Sequence, residues 1–329
     1  MIVKSQYLNP RLFSANQDFA PTRRGFGEGL LAAGHSNESI VALCADLAES
    51  TQMQLFAEVF PDRFIEVGIA EQNLVTVASG LAAVGKKPFV SSYAAFSPGR
   101  NWEQIRTTIA LNNQPVVIVG SHAGLSVGPD GATHQMLEDI ALMRSLPNMV
   151  VVVPCDVHEA HKATLAAAKS RTPLYIRLAR EKSAIVTTPE SPFKLGQAQI
   201  LYSGEDVTLL TTGPLLYEAL LAARNLAEKG WRAEVINVAT IKPLDTDTIV
   251  SSIRRTGAVV TVEDAQVAGG LGGAVAELLG ETLPSPIERV GVRDRFGQSG
   301  TVAQLWEEYG LTSLSIAAAA ERVIERKAL

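Results

Sequence analysis

The alternation of short apolar runs with amphipathic segments is the feature of this sequence that most constrains its fold. Almost continuous runs of Val, Ile and Leu occur at 39–44, 115–120, 149–155 and 173–178, and an amphipathic segment at 157–170 separates the last two. Such short runs are typical of strands that are buried on both faces. Their alternation with helices predicts an α/β protein with a mostly parallel sheet and right-handed crossovers.

A break in this pattern at 181–200 divides the chain. The segment contains two prolines and little periodicity, which favours a linker. Further strands are predicted at 206–213, 233–241, 258–265 and 287–292. Residues 1–20 lack periodicity and are interpreted as an arm. The predicted organisation is an N-terminal arm at 1–20, a domain at 21–185 and a second domain at 186–329, and both domains are expected to be doubly wound.

The composition disfavours several classes of partner. The chain has 329 residues and a formal net charge of −5, so neither nucleic acid nor a membrane is expected as a partner. No window approaches the ~18 apolar residues of a transmembrane helix, and the N-terminus does not resemble a signal peptide. We therefore expect a cytoplasmic protein. Cys44 and Cys155 adjoin apolar runs and are interpreted as buried and reduced.

The glycine-rich stretch at 269–273 has two interpretations. It lies between a predicted strand and a predicted helix, where it could form the phosphate-binding turn of a nucleotide site. Its spacing departs from G-x-G-x-x-G, which favours a structural turn or a subunit contact. The sequence has no P-loop, no H-E-x-x-H and no paired C-x-x-C motif, so no metal site built by this chain alone is expected.

Polar residues follow the predicted strands of the first domain. Glu71 begins a helix after one strand, where its carboxylate could stabilise the helix N-terminus or act in catalysis. Other strands are followed by Tyr93, Phe96, Arg100, His122, Asp130, His134, Arg177 and Arg180. Ligands of open α/β sheets bind beyond the carboxyl ends of the strands, so this convergence predicts an active site.

Three motifs carry a family resemblance. GIAEQN at 68–73, YAAF at 93–96 and HAGLSVGPDGATHQ at 122–135 together resemble the pyrimidine-binding domain of transketolases. They are also similar to the matching part of deoxyxylulose-phosphate synthase. The resemblance extends over nearly the whole chain after the arm. It implies a thiamine-pyrimidine-binding domain followed by a transketolase-type C-terminal domain.

The resemblance implies catalytic and cofactor-binding roles for individual residues. Glu71 matches the glutamate that hydrogen-bonds N1′ of the aminopyrimidine of thiamine diphosphate, and Phe96 matches the aromatic residue that stacks on that ring. His122 and His134 match the two histidines that face the hydroxyls and the carbonyl of the substrate. Asp46 is expected to approach the cofactor.

Further residues are implied in substrate binding. Asp130 matches the acid that recognises a hydroxyl of the donor sugar. Arg180 matches an arginine that holds the sugar phosphate, and Ser50 has a similar position on the phosphate side. Arg100 is also assigned to the substrate, although the segment Pro98–Arg100 contains one residue more than the family pattern.

The sequence departs from full-length transketolases in one respect. Those enzymes begin with a diphosphate-binding domain, whose G-D-G motif and later Asn hold Mg²⁺ and the diphosphate, and neither motif occurs here. The chain resembles the second half of a split transketolase. The implied function is the transfer of a two-carbon ketol unit between phosphorylated ketose and aldose sugars, as in pentose phosphate metabolism. An N-terminal-type partner subunit would supply the Mg²⁺ site, in an α2β2 hetero-oligomer.

Alternative functions stay open on the sequence. The nearest is the β subunit of a 2-oxo acid dehydrogenase E1 component, and a deoxyxylulose-phosphate synthase-like enzyme is the next. The loop with two histidines and one aspartate favours a sugar-handling site. A non-catalytic subunit that keeps the fold and a nucleotide-binding protein that uses the glycines at 269–273 are the alternatives of a different class.

Overall fold

The fold is seen in a computed structural model, which describes residues 1–327. Its strands are β1 (Phe19–Pro21), β2 (Ile40–Cys44), β3 (Phe64–Glu66), β4 (Lys87–Tyr93), β5 (Val117–Ser121), β6 (Val150–Val152), β7 (Leu174–Arg177), β8 (Lys182–Ala184), β9 (Gln199–Tyr202), β10 (Val207–Thr211), β11 (Ala233–Asn237), β12 (Thr240–Lys242), β13 (Val259–Gln266) and β14 (Ile287–Val292). Its helices are α1 (Thr22–Ser36), α2 (Gln54–Val59), α3 (Glu71–Ala83), α4 (Trp102–Gln104), α5 (Asp139–Arg144), α6 (Val157–Lys169), α7 (Leu216–Glu228), α8 (Thr246–Thr256), α9 (Leu271–Thr282), α10 (Val302–Glu308) and α11 (Ser313–Lys327).

Two larger sheets organise the described residues. The first has the order β12-β6-β7-β5-β4-β2-β3, and every pair in it is parallel except β12 with β6. The second has the order β14-β13-β10-β11-β9, in which only β9 is antiparallel to its neighbour. The predicted fold class, α/β with two mostly parallel domains, is confirmed.

One strand crosses between the two halves of the chain. The apolar run at 233–241 was expected to form a single strand, and this prediction is wrong. The run divides into β11, which joins the second sheet, and β12, which pairs antiparallel with β6 at the edge of the first sheet. Both pieces are buried, so a continuous apolar pattern contains no sign of the change of sheet.

Helix α1 covers one face of the first sheet together with α6. The sequence patterns do not predict α1, because its four glycines disfavour a helix. These glycines have a packing role. A Cβ atom on Gly25 would lie 1.9 Å from the carbonyl oxygen of Val157, and one on Gly29 would lie 2.9 Å from Cβ of Thr164. The two helix backbones therefore approach so closely that only glycine fits at the crossing.

The N-terminal arm is packed against both halves of the chain. Its last strand, β1, pairs antiparallel with β8, which lies inside the segment predicted to be a linker. At its other end, the amide of Val3 donates to the carbonyl oxygen of Leu201 beside the second sheet. The linker prediction is therefore wrong for 182–184. The domain boundaries at residues 20 and 185 stay a prediction.

The two cysteines are confirmed as buried and free. Within residues 1–327, no helix is long and apolar enough to cross a membrane. No group of three His, Cys, Asp or Glu side chains in that described part of the chain is arranged to hold a metal ion.

Candidate active site

The carboxyl ends of β2, β4, β5 and β7 lie at one edge of the first sheet, because these strands are parallel. Ligands of such sheets bind beyond this edge. The predicted site residues on the segments after these strands are therefore brought to the same side of the molecule.

Glu71 is buried at the start of α3, and only 3% of it is exposed. Its Oε2 atom accepts a hydrogen bond of 2.9 Å from Nη1 of Arg100. Its backbone carbonyl accepts from Nδ2 of Asn101 at 2.7 Å, which ties the two segments together. The N-cap residue of α3 is Ala70, which makes no side-chain capping bond, and the carboxylate of Glu71 pairs with Arg100.

Four rings form a cluster next to Glu71. Tyr93 stacks on His122, with 3.8 Å between ring centroids, and lies 5.9 Å from Phe96. The ring of His134 meets Phe96 edge-on at 5.6 Å. The structure thus brings together Phe96 and both predicted histidines. Tyr93 had no assigned role in the sequence, yet it lies at the centre of the cluster.

His122 is held as a neutral imidazole. Burial, with smaller contributions from Arg23, Arg180 and His134, lowers the pKa of His122 to about 3. Its Nδ1 atom lies 2.9 Å from Oγ of Ser121. Its backbone has a φ of +56°, a conformation that is rare for residues other than glycine and is concentrated at functional sites.

Two arginine side chains, Arg23 and Arg180, are close enough to His122 to lower its pKa. Nη1 of Arg180 donates to the carbonyl oxygen of Val127 at 2.7 Å and reaches Oδ1 of Asp130 at 3.4 Å. Nη1 of Arg23 donates to the carbonyl oxygen of Ser50 at 2.7 Å. Arg180 is therefore paired with Asp130, and Arg23 is a further arginine of the candidate site. The sequence patterns give no indication of Arg23, because they do not predict α1.

Asp46 follows β2 in the left-handed region, with a φ of +58°, and is exposed. Its backbone amide donates to Oε1 of Glu66, which also accepts from the amide of Gly68, both at 2.8 Å. Glu66 thus fixes the loops after β2 and β3.

Arg177 has a structural role instead of a place in the site. It is 4% exposed, and its Nε donates to Oδ2 of Asp139 at 2.9 Å. The hydroxyl of Tyr175 donates to the same oxygen, and Nη2 of Arg177 donates to the backbone carbonyl of Asp264 at 2.8 Å. This buried pair joins β7 to β13 across the two domains. The strand-end position of Arg177 therefore did not indicate contact with a ligand.

The second domain also supports the loop between the two histidines. Oδ1 of Asp264, near the end of β13, accepts from the amide of Leu125 at 3.0 Å. Leu125 begins a 3-10 helix at Leu125–Asp130, so the second domain helps to position the segment that separates His122 from His134.

Gly269 and Gly270 form the turn that leads into α9, and Gly272 and Gly273 lie in the first turn of that helix. The carboxylate of Glu263 accepts from the amides of Leu271 and Gly272 at the N-terminus of α9, both at 2.7 Å. A Cβ atom on Gly270 would lie 1.9 Å from Oε2 of Glu263. The carboxylate occupies the place that a nucleotide phosphate would need, which disfavours the nucleotide-binding alternative.

Phe96 and Glu71 contact the same planar group. This group is the guanidinium of Arg100, with Cζ 4.9 Å from the centroid of Phe96 and Nη1 bonded to Glu71. One planar group thus contacts the aromatic face and the carboxylate at once. An aminopyrimidine would make the same two contacts.

Family models match both halves of the chain. The model of the transketolase pyrimidine binding domain matches residues 20–184, which is half of the chain, and that of the transketolase C-terminal domain matches residues 196–316. The chain belongs to the transketolase family. The family resemblance predicted from the sequence is confirmed, and with it the assignment to the transferases and to a thiamine diphosphate-dependent family.

Relatives of this transketolase-family chain include separate subunits. It is 44% identical to a Methanocaldococcus jannaschii protein provisionally assigned as a transketolase C-terminal section, over 92% of this chain and 95% of that protein. It is also 44% identical to the 6-deoxy-6-sulfo-D-fructose transketolase subunit SqwH of Clostridium sp. strain MSTE9, over 91% of this chain and 92% of the relative. A 1-deoxy-D-xylulose-5-phosphate synthase of Geobacter sulfurreducens is 38% identical over 92% of this chain but 48% of its own length.

Solved transketolase structures resemble this chain as well. A split gene transketolase, described as an inactive beta4 tetramer, is 45% identical and superimposes with a TM-score of 0.88 over 93% of this chain and 99% of that chain. The transketolase of Campylobacter jejuni, at 23% identity and a TM-score of 0.79, shares the fold. The chain therefore corresponds to the C-terminal section of a split transketolase.

Proposed function

We propose that this chain is the pyrimidine-binding subunit of a thiamine diphosphate-dependent transketolase, which transfers a two-carbon ketol unit between phosphorylated ketose and aldose sugars. One observation carries the proposal. The buried carboxylate of Glu71 and the face of Phe96 both contact one planar group, the guanidinium of Arg100, and the ring of Phe96 meets His134.

Glu71 and Phe96 are the residues that would hold the cofactor ring. The bound cofactor supplies a nucleophilic carbon and an electron sink for the ketol unit. Glu71 would share a proton with N1′ of the ring. A hydrogen bond of this kind is stronger in a buried site than in water, because the local dielectric is low. Phe96 would fix the plane of the ring, and Asp46 would approach it from the end of β2.

The histidine cluster would bind the sugar. His122 is neutral, so it can accept from a hydroxyl or donate to the carbonyl of the ketose without a change in charge. His134, which is half-buried, would face the same atoms. Asp130 would accept from a hydroxyl of the donor sugar. Arg180 would bind the phosphate through charge-assisted hydrogen bonds, and Ser50 would bind on the phosphate side as well.

A partner subunit of the N-terminal type would supply the Mg²⁺ and diphosphate site, in an α2β2 assembly. This proposal rests on relatives of similar length: one is named as a subunit, and a similar solved chain is described as an inactive beta4 tetramer. The pentose phosphate substrates and the cytoplasmic location stay predictions.

Replacing Glu71 with Ala tests the proposal. In the enzyme assembled with its partner, thiamine diphosphate and Mg²⁺, we expect ketol transfer from xylulose 5-phosphate to fall by at least about 10²-fold, since the proton shared with N1′ is lost. Gly80→Ala is the matched control. Gly80 lies on the same helix as Glu71, and a Cβ atom there would meet nothing within 4 Å. Unchanged transfer in Glu71→Ala, or robust transfer by the chain without a partner, would refute the proposal.

Deoxyxylulose-phosphate synthase activity is the second candidate. It is favoured by the 38% identity to such an enzyme, although the chain spans about half of that relative. Consumption of pyruvate with glyceraldehyde 3-phosphate, measured beside ketol transfer, distinguishes the two. Pyruvate decarboxylation without an aldose acceptor would instead favour the 2-oxo acid dehydrogenase alternative.

A further inference from the structure

Arg100 makes two contacts that are unusual for a surface arginine. Its guanidinium lies over the face of Phe96 and donates to Glu71, although 52% of its side chain is exposed. Glu71 itself is 3% exposed, so the ion pair neutralises a carboxylate that is otherwise removed from water. A buried carboxylate without a partner is costly.

The contacts of Arg100 coincide with those proposed for the aminopyrimidine ring. A guanidinium and an aminopyrimidine are both flat, both carry N–H donors and both stack on aromatic faces. A ring that takes the same face of Phe96 and the same Oε2 atom of Glu71 would have to displace the guanidinium.

We propose that Arg100 is a positioning residue that occupies the cofactor's pyrimidine place in the unloaded chain and is displaced when the ring binds. This inference rests on the proposed function, because it takes Glu71 and Phe96 as the ring-binding pair. The side chain has a route of withdrawal, since half of it already faces solvent. In the unloaded chain the guanidinium keeps Glu71 paired and keeps Phe96 covered.

The proposal predicts that removal of the guanidinium strengthens ring binding. The probe is 4-amino-2,5-dimethylpyrimidine, titrated into the purified chain and followed by ligand-observed NMR. We expect Arg100→Met to bind this fragment about tenfold more tightly than the unsubstituted chain, which corresponds to ~1.4 kcal/mol. Arg100→Lys, which keeps a charge but has no plane to cover Phe96, is expected to bind with intermediate affinity.

Two controls fix the interpretation. Arg24→Met removes an exposed arginine that pairs with Glu28 on α1, and it should leave fragment binding unchanged. The double variant Glu71→Ala/Arg100→Met should lose the gain, because the carboxylate that receives the ring is absent. Circular dichroism of each variant verifies folding.

Equal or weaker binding of the fragment by both Arg100→Met and Arg100→Lys would overturn the inference. This readout needs neither the partner subunit nor ketol transfer. A chain that binds the fragment as expected but fails to support transfer would refute the proposed function alone. Loss of transfer in Glu71→Ala without any gain in Arg100→Met would refute the displacement alone.

Discussion

Gly25→Ala tests how closely α1 and α6 must approach. The added Cβ atom would lie 1.9 Å from the carbonyl oxygen of Val157 and 2.9 Å from its carbonyl carbon, and this backbone cannot rotate away. Overpacking typically costs about 1–3 kcal/mol, and a backbone contact this short favours the upper end. Replacing glycine by alanine in a helix gains ~1 kcal/mol. We expect a net loss of ~2 kcal/mol in the free energy of unfolding.

Two further substitutions provide a graded comparison. Gly29→Ala meets Thr164 at 2.9 Å and the carbonyl oxygen of His161 at 3.0 Å, so its loss should be smaller. Gly80→Ala meets nothing within 4 Å and should gain about 0.5–1 kcal/mol. Urea unfolding at one protein concentration measures all three changes. Equal effects at positions 25 and 80 would show that the close approach of α1 and α6 is not what requires glycine.

Two predictions concern the site. ¹⁵N NMR should show the His122 ring neutral from pH 8 to pH 5, because burial lowers its pKa to about 3, and protonation near pH 6.5 would contradict this. Since the folded pKa of His122 lies below its ordinary value of 6.5, the stability contributed by the neutral ring is present above pH 6.5 and is lost as pH falls toward 3. Arg180→Met should raise KM for phosphorylated acceptors by about tenfold or more relative to free sugars, because a charge-assisted bond is lost. Steady-state kinetics measures both KM values. Equal increases in KM for phosphorylated acceptors and free sugars would indicate that Arg180 acts structurally, through its hydrogen bond to Val127.

Much of the fold could be predicted from the sequence, because buried parallel strands have a direct signature. All five residues of β2 and of β5 are buried, so both faces of these strands favour apolar side chains, which fill β2 and the first three positions of β5. Helix α6 is similarly clear, since its apolar residues recur at helical spacing and Asp156 caps its start. These features are local, and no knowledge of the partner elements is needed to recognise them.

Other features depend on contacts that a linear pattern does not contain. Helix α1 is missed because its glycines are explained only by the neighbouring helix. Arg177 ends β7 and Arg180 follows it, yet Arg177 is bonded to the buried Asp139, 38 residues earlier, while Arg180 is bonded to Val127 in the loop between the two histidines. The predicted substrate role of Arg100 gave no indication of its bond to Glu71.

The crossing of β12 into the first sheet has a consequence for the modularity of the chain. Residues 240–242 belong to the second half of the chain in sequence order, but they form the outermost strand of the first sheet by hydrogen bonding to β6. Without β12, the edge of β6 would expose its backbone groups, and such an edge can pair with foreign strands. Recombination that exchanges one half between relatives must therefore preserve this strand. The two halves are expected to be inherited as a unit, even where the complete enzyme is divided between genes.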